Sequence, residues 1–207
     1  MPKYPPAEDV RDVIAESLHV ALLRMMQPSI MHIGPINTIG CFLLKYLTGE
    51  DYVPVAGSIE VRCGGAPFGL QAHIENIDIH AYYVWIECDR GPGGVELVDF
   101  GSRYWRSWAA DEGALWTAPA PPNYIWGRKD HLSSSAEYVT HHEISAIVLR
   151  AIENAVSAQE PEANVKRWEA VINSAVDHML DSKAGLRFLI DAGIAQPADE
   201  EEEEPFQ

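Results

Sequence analysis

Cysteine is scarce in this 207-residue chain, which holds only Cys41, Cys63 and Cys88. An odd number at wide spacing offers no disulfide framework, and the lack of a C-x-x-C pair removes the usual structural zinc site. Basic residues are also few, 15 Lys and Arg against 31 Asp and Glu. No Lys/Arg cluster interleaves with aromatics, so the electrostatic footprint of a nucleic-acid binder is missing. An acidic body is likewise repelled by anionic membrane surfaces. Long apolar runs are missing too: the stretch of Ile147, Val148 and Leu149 is cut by Arg150, and no segment reaches bilayer length. The opening Met-Pro-Lys-Tyr-Pro-Pro-Ala-Glu-Asp has no apolar secretory core. These absences predict a cytoplasmic chain with reduced thiols and with neither nucleic-acid nor membrane partners.

What is present is ordinary for a folded domain, 47% apolar and 22% charged residues. The net charge is −16, and Asp199 with the glutamates of 200–204 supplies six of the negative charges. The remaining body stays acidic, at about −10. The expectation is one α+β domain over 1–196, with flanking helices at 8–27 and 134–192, and a disordered acidic tail at 197–207.

Val10, Val13, Ile14, Leu18, Ala21, Leu22 and Met25 recur at helical spacing, and Pro28 stops that helix. A loop over 32–38 then leads into a short buried helix at 39–47, with Thr38 as N-cap and Gly49 as stop. That reading places Cys41 in the first turn. Strands are expected at 52–55, 58–63, 68–73, 79–88 and 95–100, the last two joined as an antiparallel hairpin by Gly91-Pro92-Gly93-Gly94. Residues 101–133 hold Trp105, Trp108, Trp116 and Trp126, while Pro119, Pro121 and Pro122 oppose regular structure. A packed loop is expected there. Ser134-Ser135-Ala136-Glu137 fits a capping box opening a helix. Its stripe is Ile144, Ile147, Val148, Ala151, Ile152 and Val156. Beyond a break at 159–161 comes a second stripe, Val165, Trp168, Ile172, Ala175, Val176 and Met179. The two helices are expected to pair as a hairpin packed on the sheet, followed by a short helix near 186–190.

The chemistry-bearing candidates follow from these placements. A thiol in the first turn of a helix gains from free amides and the macrodipole, which favour the thiolate. A histidine can take its proton, and a carboxylate can fix the imidazole. His80 opens one arm of the hairpin and Asp99 closes the other, so hairpin geometry is expected to bring them to one rim. The link to Cys41 does not follow from that geometry. A lone cysteine in an apolar helix is also ordinary core filler, and Cys63 and Cys88 are read so. His73, without a matching carboxylate, and His32 are the other possible bases. His131, His141, His142 and Glu143 lack a His-Glu-x-x-His pattern and read as a solvated face, with no metal.

The order of a helix-borne Cys, a strand-opening His and a strand-closing Asp resembles the papain-like cysteine hydrolases, in their transglutaminase-like and arylamine N-acetyltransferase-like branch. His80-Ala81-Tyr82-Tyr83-Val84-Trp85-Ile86-Glu87 is similar to the His-Ala-Trp-Val-Glu signature of the transglutaminase-like proteins. Leu97-Val98-Asp99-Phe100-Gly101 is similar to the Val-Asp motif that closes their triad, and to the Val-Asp-x-Gly of the acetyltransferases. The likeness spans about 30–105. It implies a papain-like core over about 28–130, in which a Cys-bearing helix packs on an antiparallel sheet. It also implies a Cys41–His80–Asp99 triad in which Cys41 attacks a carbonyl to form a thioester, His80 serves as base then acid, and Asp99 orients His80. The Cys41 amide and Asn37 are the implied oxyanion donors. No metal or organic cofactor is needed, and the substrate is a peptide, an amide or a small acyl donor. Trp85 and Trp105 are candidates for lining an acyl pocket, and packing as a satellite core is the other reading of these aromatics. Around the cysteine, Asn37-Thr38-Ile39-Gly40-Cys41-Phe42 lacks both the Gly-Gln-Cys-Trp of transglutaminases and the Arg-Gly-Gly-x-Cys of the acetyltransferases. The alternative function is therefore a catalytically silent papain-like fold that binds or scaffolds.

Overall fold

The computed structural model describes residues 6–25, 33–79, 81–132, 135–157 and 163–196. It is an α+β fold in which helices cover one face of a curled antiparallel sheet and a short helix closes the other. The elements in order are α1 (Glu8–Met25), α2 (Ile33–Thr48), β1 (Val53–Val61), β2 (Phe68–Leu70), β3 (Tyr83–Asp89), β4 (Val95–Asp99), α3 (Trp105–Asp111), β5 (Ile125–Arg128), β6 (Ala136–Thr140), α4 (His142–Ser157), α5 (Ala163–Leu180) and α6 (Lys183–Asp191). No helix among the described residues is long and apolar enough to cross a membrane.

β1 organises the sheet. Its first half pairs with β3, its second half with β2, and from Gly57 onward it also pairs with β6; all these pairings are antiparallel. β3 continues into β4 through the expected glycine turn, where the Arg90 amide donates to the Gly94 carbonyl, and β4 pairs with β5. Alternation along the strands sorts the side chains onto two faces, with Ala56 and Val84 packed under Ile144, Val148 and Ile152 of α4 as a separate cluster. Ile86, Cys88 and Val98 join α1, α2, α5 and α6 on one face. Val55, Ile59, Tyr83, Trp85 and Leu97 meet Trp105 and Trp108 of α3 on the other. The second face is concave: Lys129, just past β5, donates to Glu87 of β3 and to Thr140 of β6, each at 2.7 Å, so the outlying strands converge.

Several expectations are corrected. α2 begins at Ile33, six residues earlier than the expected helix start at 39. Pro35 does not prevent this, because a first-turn residue has no intrahelical amide partner to lose. Thr38 is thus inside the helix, its hydroxyl donating to the Gly34 carbonyl at 3.1 Å. The two strands expected at 52–55 and 58–63 are one strand running through Gly57, and β3 starts at Tyr83 because Ile74–Ile79 is a 3-10 turn. The 101–133 stretch contains a helix and a strand despite its prolines. Ala136 and Glu137 belong to a strand, where Val139 and Thr140 supply β-branched residues, and the helix begins only at His142. Among the described residues α4 packs mainly on β1 and α5 mainly on α1, rather than pairing as a hairpin on the sheet. The Gly49 stop (φ 70°) and the helix over 186–190 match their expectations. The break at 159–161 and the tail lie outside the described residues.

α6 shows how a local signal fixes an element end. The Ser182 hydroxyl accepts from the Gly185 amide at 2.9 Å and caps the helix. Ser182→Ala is expected to lower stability by about 1 kcal/mol, read as a shift of the urea midpoint at constant slope.

Candidate functional site

The site is built where α2 crosses β3 and β4. Cys41 lies in the third turn of α2 and is 2% exposed. Beyond the first four residues of a helix each amide is engaged by the carbonyl four residues back. The Cys41 amide is therefore spent within the helix and supplies no oxyanion donor, contrary to the expectation from a first-turn placement. Its thiol donates to the Tyr52 carbonyl at 3.3 Å. Burial is the main cause that pushes this thiol from about 9 up to about 12, and Lys45 opposes the shift only in part. The balance at this position favours the protonated thiol.

Asn37, one turn earlier, faces the same rim of the sheet. Its two amide protons go to the Val84 carbonyl and to Asp99 Oδ1, both at 2.8 Å, and its oxygen accepts from the Phe100 amide at 2.8 Å. With both protons committed, Asn37 holds strand ends in place and has none left for an oxyanion. Asp99 is fully buried. Oδ1 also accepts from the Gly101 amide at 2.7 Å, and Oδ2 accepts from the hydroxyls of Tyr83 and Tyr138 at 2.9 and 2.7 Å. Two donors on each oxygen fill the acceptor capacity of a carboxylate. Trp105 Nε1 donates to the Tyr83 hydroxyl at 3.0 Å, which directs that hydroxyl's own proton to Asp99. Burial raises the Asp99 carboxyl, and the bonds from Asn37, Tyr138, Tyr83 and Gly101 oppose the rise. Burial, followed by the charge of Asp99, raises both tyrosines well above their usual range, which keeps them protonated as donors.

Among the described residues, the Cys41 and Asp99 side chains share no partner. The β3–β4 register, carried one rung beyond Ile86 and Val98, sets Trp85 across from Asp99. Position 80 is five positions further from that rung in sequence, so hairpin register alone does not set it across from Asp99. His80 itself lies outside the described residues, as does His32. Cys41 belongs to the core under the helices, whereas Asp99 shares the face of Leu97 and points into the aromatic core. His73 is exposed.

Trp85 and Trp105 are fully buried and packed among their neighbours. Trp85 Nε1 donates to Glu87 at 2.7 Å, and Lys129 Nζ stands 5.4 Å from its ring centroid. Their rings fill the interior in place of an acyl pocket. The other two cysteines are buried and unpaired. Tyr83 and Tyr138 were missed as members of this cluster. Tyr83 sits in the signature strand, so its phase with Trp85 was a usable signal, while the misread strand at 136–140 hid Tyr138.

No family model matches the chain, and no curated protein does. A solved structure described only as a genomics target is similar over 81% of this chain and 78% of its own, with a TM-score of 0.51 at 14% identity. At that identity the likeness is one of fold.

Proposed function

We propose that the chain is a catalytically silent binding or scaffolding module on a papain-like frame. The single observation that carries this reading is the state of Cys41: sealed in the core, its thiol acidity suppressed and its amide spent inside α2. A catalytic cycle would require two turns of α2 to unwind, a proton on Asn37 to come free, and one donor on Asp99 to leave for His80. Each of those groups instead has a complete set of structural partners. The papain-like frame is supported by the order of a cysteine-bearing helix, an antiparallel sheet and a strand-closing Asp99. Unpaired thiols support a reducing, cytoplasmic setting.

The test is iodoacetamide labelling across pH, read at each cysteine by mass spectrometry. Cys41 is expected to label no faster than Cys63 and Cys88 from pH 6 to 8, and to become reactive only in urea. Rapid labelling of Cys41 near pH 6 that is lost in His80→Ala would overturn the silent reading. The same thiol predicts alkaline lability. Its folded-state acidity is weaker than its unfolded one, so the folded state holds the proton longer. Stability linked to Cys41 is thus complete below about pH 9 and falls as pH rises toward about 12. Cys41→Ala is expected to flatten the urea midpoint in that range.

A further inference from the structure

On the reading of the chain as a binding module, we infer that the cleft between the start of α1 and the 122–126 stretch is its partner site, and that the cleft receives a cationic side chain from a basic protein segment. The cleft is an open groove of about 780 Å3, roomy enough to admit a side chain of a partner. Glu8 and Asp12 stand one helical turn apart on α1, exposed, and both line it. Opposite them are the rings of Tyr124 and Trp126, in edge-to-face contact with centroids 6.3 Å apart.

Carboxylates beside aromatic faces are the chemistry that recognises guanidinium and ammonium groups. The cleft already holds one such group from the chain itself. The Arg11 guanidinium lies 5.4 Å from the Trp126 ring centroid, anchored by its Nε bond to the Pro6 carbonyl. Arg11 offsets only part of the negative charge. The Tyr124 hydroxyl donates to Asp12 Oδ1 at 2.9 Å, which fixes that carboxylate against the wall, and Glu8 forms no ion pair among the described residues. The phenol of Tyr124 reports the local field: it is raised first by burial, then by the bond and charge of Asp12, with Glu8 adding to them.

The chain's net charge of −16 supplies long-range attraction for a basic partner. The groove between β5 and β6 offers no such preference, since Arg62 and Lys129 there are balanced by Asp130 and Glu137.

The experiment titrates the 15N-labelled full chain with the acetylated, amidated peptide Gly-Arg-Gly-Arg-Gly at low salt and at about 0.15 M salt. Saturable shifts are expected in the first turns of α1, at Tyr124 and at the Trp126 indole. The Glu8→Gln/Asp12→Asn pair is expected to weaken binding at least about fivefold. Glu143→Gln/Glu153→Gln removes the same charge from α4 and is expected to leave the affinity unchanged. Equal weakening by both pairs, shifts centred elsewhere, or no saturation would each overturn the assignment. Fast Cys41 labelling would instead sink the silent reading while leaving this titration intact, so the two failures are distinct.

Discussion

Asp99→Ala is expected to remove most of the chain's stability. The substitution strands four donors at once in a site without solvent: the Asn37 amide, the Gly101 amide and the hydroxyls of Tyr83 and Tyr138. Each buried group left without a partner costs about 1–3 kcal/mol. The sum, upward of about 4 kcal/mol, is comparable to the whole stability of a small domain. Urea denaturation followed by tryptophan fluorescence measures it, and a loss below about 1 kcal/mol would show that Asp99 is no hub.

Asp99→Asn covers the case in which the alanine variant fails to fold. Its oxygen can keep the Asn37 and Gly101 bonds, but its amide meets two hydroxyls that were donating. Tyr83 cannot turn freely, since Trp105 already holds it, and a loss of about 2 kcal/mol is expected. This variant also isolates the titration. The Asp99 carboxyl is raised in the folded state, so folding takes up its proton. The linked stability is complete below the unfolded carboxylate value of about 4 and declines as pH rises through the folded one. In Asp99→Asn that decline should vanish from the stability profile.

Which parts of this arrangement were legible in the sequence follows from the range of the forces involved. The amphipathic face of α1, the glycine turn that joins β3 to β4 and the helix near 186–190 are set by local periodicity and turn residues, and they match their expectations. The start of α2 was not. Gly34 and Pro35 resemble a loop, yet proline in a first turn removes no bond that the helix needs. That six-residue difference moves Cys41 from a helix end to a helix interior, and with it the chemistry from activated thiol to core residue. Strand β6 was misread because Ser134 and Glu137 fit a capping box locally, whereas pairing with β1 is a long-range choice. Asn37 and Asp99 were both singled out, but for roles in a reaction. Besides Asn37, the side-chain partners of Asp99 are Tyr83 and Tyr138, which come from strands that meet only once the sheet curls.

Gly57→Ala tests the seam on which that curling depends. Gly57 is the residue at which β1 pairs with Tyr83 of β3 on one side and Thr140 of β6 on the other. A methyl group there would run into the Val139 carbonyl oxygen, with the Trp85 ring at 2.9 Å and the His141 amide nitrogen at 3.0 Å. Two of the three obstacles are backbone, and neither can retreat without parting β1 from β6. Overpacking of this kind costs about 3 kcal/mol, more when backbone must move. Relief by displacing β6 would also withdraw Tyr138 from Asp99. The effects of Gly57→Ala and Tyr138→Phe should therefore overlap, the double variant losing less than the sum of the singles. Hydrogen exchange at the β6 amides is expected to rise in Gly57→Ala before that of β3 and β4. Additive losses, or exchange that rises evenly across the sheet, would mean that β6 and the Asp99 cluster are held independently.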